Sequence, residues 1–244
     1  MSAPKNSGQA LNDASKSTDT YSGDGQGAAG VIDKGIANAQ DALDKSGESG
    51  IISPPEGGFK DLHVGLQWDN IIVEQSSGFM GLIKKATKKG VDLDLGCFVE
   101  LVDGTRAILQ PFGDLLGAYD RPPFVQSSGD ERTGDAEGDD EYFTINGAQW
   151  PKIKRMLIYT YIYEGSNDWS QIKPEININL HNGDPVINIK PTLKTTNMTV
   201  CALASMNNIK NGIQIVTHGE YFTSQASMDR AYGFGFKWED GAKG

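Results

Sequence analysis

Hydrophobic and polar positions alternate with a period of two along most of the chain beyond residue 57. Leu62, Val64, Leu66 and Trp68 alternate with His63, Gly65 and Gln67, which predicts a strand with one face buried. Leu93, Leu95, Cys97, Val99 and Leu101 repeat the pattern, and Asp103-Gly104 then predicts a tight turn into Ala107, Ile108 and Leu109. Met156 to Tyr163 is a continuous apolar and aromatic run, as expected of a central strand buried on both faces. Further runs at Ile176–Leu180, Val186–Ile189, Val200–Met206, Ile213–Phe222 and Tyr232–Trp238 bracket Asn182-Gly183 and Asn211-Gly212. The pattern predicts an all-β protein, a β-sandwich of roughly nine or ten short antiparallel strands.

Two stretches depart from alternation. Residues 1–56 are rich in Gly, Ser and Asp, and up to residue 50 the only aromatic is Tyr21, so this part is expected to be a disordered tail. Within it Ile32, Ile36, Ala39 and Leu43 recur at helical spacing, which predicts a short helix over 31–45 that transiently folds or docks on a partner. The second departure, 77–90, carries Phe79, Met80, Leu82 and Ile83 beside Lys84, Lys85, Lys88 and Lys89, and reads as a short basic amphipathic helix. The expected division is therefore a tail at 1–56 and a sandwich domain at 57–240.

Charge sharpens the picture. The 244 residues carry a formal charge of −10, which excludes the basic footprint of a nucleic-acid binder. No run of 18 apolar residues is present and the first ten residues lack an apolar signal core, so a cytoplasmic location is expected. Cys97 and Cys201 sit in apolar runs without CxxC spacing and are expected to be buried free thiols. His63, His181 and His218 are scattered singly, giving no local zinc site. Gly25 to Gly30 satisfies GxGxxG but follows no strand, so it is not a nucleotide loop.

Most of the acidity lies in one place. Residues 130–141 hold seven carboxylates and one arginine, punctuated by Gly134 and Gly138 and preceded by Gly129. Two carboxylates about 4 Å apart repel by about 4 kcal/mol at an effective dielectric near 20. Such a loop stays splayed and solvated, protonates, or takes up a cation. The candidate ligands are all hard oxygens, which suits Ca²⁺ better than Zn²⁺ or the stricter octahedron of Mg²⁺. Asp92 and Asp94 share one strand face about 7 Å apart and form a second acidic pair. A solvated acidic loop and a pair of catalytic carboxylates are the alternatives, although no GxSxG, P-loop or HExxH motif accompanies them.

Three segments taken in order, Gly65-Leu66-Gln67-Trp68-Asp69, Val91-Asp92-Leu93-Asp94-Leu95-Gly96-Cys97-Phe98 and Gly129 to Glu141, resemble the TerD family of bacterial tellurite-resistance and stress-response proteins. Gly90 stands where the family often has a further Asp, Ala136 stands where it has Gly, and the lysine-bearing insertion is longer. These departures point to a TerA-like branch. The resemblance implies a β-sandwich with acidic Ca²⁺-binding loops at one end, no catalytic activity, and partners among other stress-response proteins of the same system. By position it assigns metal ligation to Asp92, Asp94, Asp130, Glu137, Asp139 and Asp140, with Asp69 and Glu141 matching as well. The alternative function is an interaction module acting on proteins, a membrane surface or a second copy, through the tail helix or the Lys84–Lys89 segment, with the acidic loop only structural.

Overall fold

The computed structural model describes residues 33–35, 41–43, 46–68, 71–77, 83–89, 91–129, 141–165, 168–180, 185–190, 196–210 and 212–238. The expected tail residues 1–32, and His181, lie outside the described residues. Two seven-stranded sheets face each other. In spatial order the first runs β1 (Asp33–Gly35), β3 (Ser49–Ile52), β16 (Gly212–Phe222), β15 (Val200–Ile209), β12 (Ile153–Glu164), β7 (Asp92–Leu101) and β8 (Arg106–Leu109). The second runs β2 (Asp41–Leu43), β14 (Pro185–Ile189), β13 (Glu175–Leu180), β4 (Asp61–Gln67), β11 (Glu141–Asn146), β10 (Val125–Ser127) and β9 (Gly117–Ala118). Pairing is antiparallel except at two edges, where β1 runs parallel to β3 and β2 parallel to β14. A separate two-stranded ribbon joins β5 (Ile71–Ser77) to β6 (Ile83–Lys89).

The alternation accounts for the core. Leu62, Val64 and Leu66 of β4 meet Leu93, Leu95, Cys97 and Val99 of β7 in one buried cluster between the sheets. Cys97 and Cys201 are buried free thiols, as expected, and burial pushes the Cys97 thiol far above its ordinary range. The central position of β12, between β7 and β15, explains its continuous apolar run. Met156, Ile158 and Ile162 face the inner core, whereas Leu157, Tyr159 and Tyr161 face outward and are still covered.

The outer cover is α2 (Gln225–Tyr232) and the segment 233–238. Ser224 caps α2 in a reciprocal box with Ser227, and Gly233 ends it in the left-handed conformation at φ 65°. Asp229, 2% exposed, then accepts hydrogen bonds from Gly235 N, Phe236 N and Trp238 Nε1 at 2.7, 2.9 and 2.9 Å. This holds Phe234, Phe236 and Trp238 against Phe98. Arg155 adds a second fastening: its guanidinium donates to the Tyr232 and Gly233 carbonyls at 2.9 Å and, through Nε, to buried Glu100 at 2.6 Å. Burial alone raises the Glu100 pKa, but the hydrogen bonds and charges of Arg155 and Lys154 outweigh it and hold the carboxyl below its ordinary value.

Three expectations are corrected. Residues Tyr232–Trp238 are not a ladder strand: they finish α2 and then lie extended over the sheet, with a single bridge at Trp238, so the alternation in burial is real without a strand. The lysine-bearing segment is not a helix; Ile83–Lys89 is a strand paired residue by residue with Ile71–Ser77. The helix predicted over 31–45 gives way to the short strands β1 and β2, and β3, within the expected tail, pairs with β16 inside the first sheet.

Candidate metal centre at one end of the sandwich

Strand register gathers the acidic positions at one end. β7 starts there with Asp92 and Asp94, whose side chains lie on the face opposite Leu93 and Leu95. β12 ends there, with Tyr161 opposite Asp94 and Glu164 opposite Asp92. β11 starts there with Glu141 opposite Leu66, close to the end of β4. In the sequence Asp69 follows Trp68, and Asp130 and Asp140 begin and end the run between Gly129 and Glu141.

Two of the carboxylates are almost sealed from water: Asp94 is 3% exposed and Glu141 1%. Glu141 joins the two sheets, because its Oε2 accepts the Leu95 amide hydrogen at 2.6 Å across the interface. That amide lies beyond the last β8 pairing at Cys97, so β8 offers it no carbonyl and a carboxylate oxygen from the facing sheet accepts in its place. The Thr160 hydroxyl donates to the Asp94 carbonyl at 3.0 Å, fixing the backbone at this position. Burial, reinforced by the adjacent Asp94 charge, drives the Tyr161 phenol far above its ordinary pKa, so it stays neutral beside the carboxylate. Asp92 is half-buried, with its Oδ1 turned away from solvent.

Both connections that leave this end are tied at their bases. Trp68 Nε1 donates to the Val91 carbonyl at 3.0 Å, closing the base of the excursion over 69–90. Ser128 N donates to the Tyr142 carbonyl at 2.8 Å and Tyr142 N to Ser128 Oγ at 3.0 Å, closing the base of the acidic connection. Of the eight expected ligands, the structure places Asp92, Asp94 and Glu141 at one end of the sandwich, the two aspartates on the outer face of the first sheet and Glu141 on the inner face of the second. Asp69, Asp130, Glu137, Asp139 and Asp140 lie outside the described residues. Among the described residues no three His, Cys, Asp or Glu side chains group closely enough to hold an ion by themselves.

The rim also carries acids that the sequence reading did not single out. Glu164 is exposed, and Asp168 caps the single turn α1 (Trp169–Ile172), accepting from Ser170 N at 3.1 Å and Gln171 Nε2 at 2.6 Å. Glu175 starts β13 opposite Gln67 and pairs with Lys190 at 3.1 Å. An Asp immediately before Trp-Ser-Gln was a legible N-cap signal for Asp168; nothing local marked Glu164 or Glu175.

No family model matches the chain. The tellurium resistance protein TerA of an Alcaligenes species is 36% identical to it over 187 residues, which make up 76% of this chain and 53% of that protein. The chain belongs to the TerD/TerA family of tellurium-resistance proteins. It spans about half the length of that curated relative. Two solved structures are also similar to it. A homologue of the telluride resistance protein TerD from Streptomyces coelicolor A3(2) is 16% identical, with a TM-score of 0.46, covering 74% of this chain and all of that one. A protein of unknown function is 13% identical, with a TM-score of 0.43, covering 72% of this chain and 98% of that one. In this TerD/TerA chain the described residues of the three motif segments, far apart in sequence, stand at the same end: the end of β4, the start of β7, and Gly129 and Glu141 on either side of the acidic run.

Proposed function

We propose that this chain is a calcium-binding module of a bacterial tellurite-resistance and stress-response system, acting in the cytoplasm as a scaffold or sensor rather than as a catalyst. The observation that carries this reading is the convergence of three acid-bearing strand ends on one rim, with Asp94 and Glu141 buried there. Burying carboxylates is costly unless they are paired, hydrogen-bonded or bound to a metal. Asp92, Asp94 and Glu141 offer hard oxygens only, and calcium takes six to eight of these in flexible geometry. The remaining ligands would come from Asp69, Asp130, Glu137, Asp139 and Asp140, with water.

A catalytic role fits poorly, since acid–base chemistry wants two carboxylates in contrasting environments rather than many crowded together. Direct reduction of a tellurium oxyanion would need accessible paired thiols, whereas Cys97 and Cys201 are buried and free, so resistance would be indirect. Partners would then be other proteins of the same system, engaged in response to calcium.

Isothermal titration of the full chain with Ca²⁺ is expected to give saturable binding that Asp94→Asn and Asp139→Asn each weaken by at least roughly tenfold, a loss of about 1.4 kcal/mol. Heat no larger than that of a free peptide spanning 129–141 overturns the reading.

A further inference from the structure

Among the described residues, the ribbon of β5 and β6 pairs with neither seven-stranded sheet, its two strands pairing with each other. Its base is rigid, because the Trp68–Val91 hydrogen bond ties two buried residues at its foot. A lone two-stranded ribbon is marginally stable in water, so one that stands off the body gains from being covered. In a chain of net charge −10, this ribbon is positive: Lys84, Lys85, Lys88 and Lys89 stand against Glu74 alone. The register places Lys89 opposite Ile71, Lys88 opposite Ile72, Lys85 opposite Gln75 and Lys84 opposite Ser76.

At the foot of the ribbon lies the acidic rim, with half-buried Asp92 and exposed Glu164 directly opposite each other. Asp168 extends the acidity along the same rim, whereas Glu175 is paired there with Lys190. We propose that the ribbon docks on the acidic rim of a second copy of this chain, the two copies meeting end to end about a two-fold axis. Ribbon and rim rise from the same end of the molecule, so one two-fold operation places each ribbon on the other copy's rim and closes the pair. Reach favours a second copy over the chain's own rim. Lys84 and Lys85 are four or five residues from the base, about 13–17 Å along the strand, too far from their own rim without folding the ribbon back. Charge favours a second copy over an anionic lipid surface, because the rim beside the ribbon would be repelled by the same surface.

Sedimentation velocity of the full chain tests this in EDTA, where no divalent ion takes part, so its outcome is separate from that of the calcium titration. A concentration-dependent dimer is expected at about 0.05 M salt, and its dissociation constant should rise by roughly tenfold or more at about 0.5 M salt, as exposed charge pairs are screened. The combined substitution Lys84→Gln, Lys85→Gln, Lys88→Gln and Lys89→Gln should give the same loss, with a melting curve unchanged at protein concentrations low enough to leave both proteins monomeric. Glu164→Lys should repeat it from the opposite side of the contact. A monomer at low salt, including one whose ribbon cross-links to its own rim, overturns the proposal. So does a dimer indifferent to both sets of substitutions, or one that vesicles of anionic lipid dissociate by capturing the ribbon.

Discussion

Gly96 stands on β7 under the ring of Tyr159, and a Cβ built there would overlap Cζ and Cε2 of that ring. Tyr159 cannot yield easily, since it is fully buried and its hydroxyl donates to Gln110 Oε1 at 2.9 Å. Gly96→Ala is therefore expected to cost about 1–3 kcal/mol in urea unfolding, the usual range for overpacking. His218 contributes at another level. Burial lowers its pKa below the ordinary 6.5, partly opposed by the charge of Glu220, and Ser205 Oγ lies 2.7 Å from its Nε2. The folded state thus binds fewer protons than the unfolded one, so stability falls as pH drops below about 6.5. Melting temperatures of the wild type and His218→Gln between pH 7.5 and 5.5 should converge at the acid end, and parallel curves would refute this account.

Among elements, the cover of the first sheet after Gly233 is held chiefly by one carboxylate, with Arg155 fastening the turn before it. Asp229→Ala removes the acceptor of three N–H donors at once, and each buried donor left unsatisfied costs about 1–3 kcal/mol. The expected result is loss of the cover before the sandwich itself unfolds, read as a red shift of tryptophan emission and dye binding to the bared Phe98 and Tyr159 face. Retention of the native emission spectrum would contradict it. The same element shows what was legible in the sequence. Tyr232, Phe234, Phe236 and Trp238 do alternate in burial, and the alternation reports contact with a surface beneath, whether or not neighbouring strands pair. Strand and extended cover share that period, so only Gly233 and Gly235, both at positive φ, separate them. The lysine segment was misread for a related reason: Lys84 and Lys88, and Lys85 and Lys89, are spaced four apart, which suits a helix face and a strand face equally. The strands of the two main sheets were legible because burial on one side imposes period two. The short parallel strands β1 and β2 were not, since three residues are too few to show any period.

For the molecule as a whole, the site was legible as chemistry and only partly as geometry. The acidic run and the Asp92–Asp94 pair could be read from residue types, whereas the hydrogen bond of Glu141 to the Leu95 amide depends on how two sheets meet. Because that contact joins β11 to β7, an ion held at the rim would brace both sheets and act on global stability. At a hundredfold excess over its dissociation constant, Ca²⁺ is expected to stabilise the fold by about 2.7 kcal/mol, seen as a melting transition several degrees higher than in EDTA. A melting curve indifferent to both would count against a calcium site. The comparison is cleanest at low protein concentration, where end-to-end pairing of copies adds nothing to the transition.

Residues 225–238 follow every described strand of both sheets along the chain, so during synthesis those strands are made before their outer cover. At translation speeds of about 5–20 residues per second these fourteen residues take roughly one to three seconds to make. Throughout that interval Phe98, Tyr159, Tyr161 and Val200 form a wet apolar patch on a nearly finished sandwich. Until the cover is made, those aromatics are a target for chaperones that shield exposed apolar surface on nascent chains.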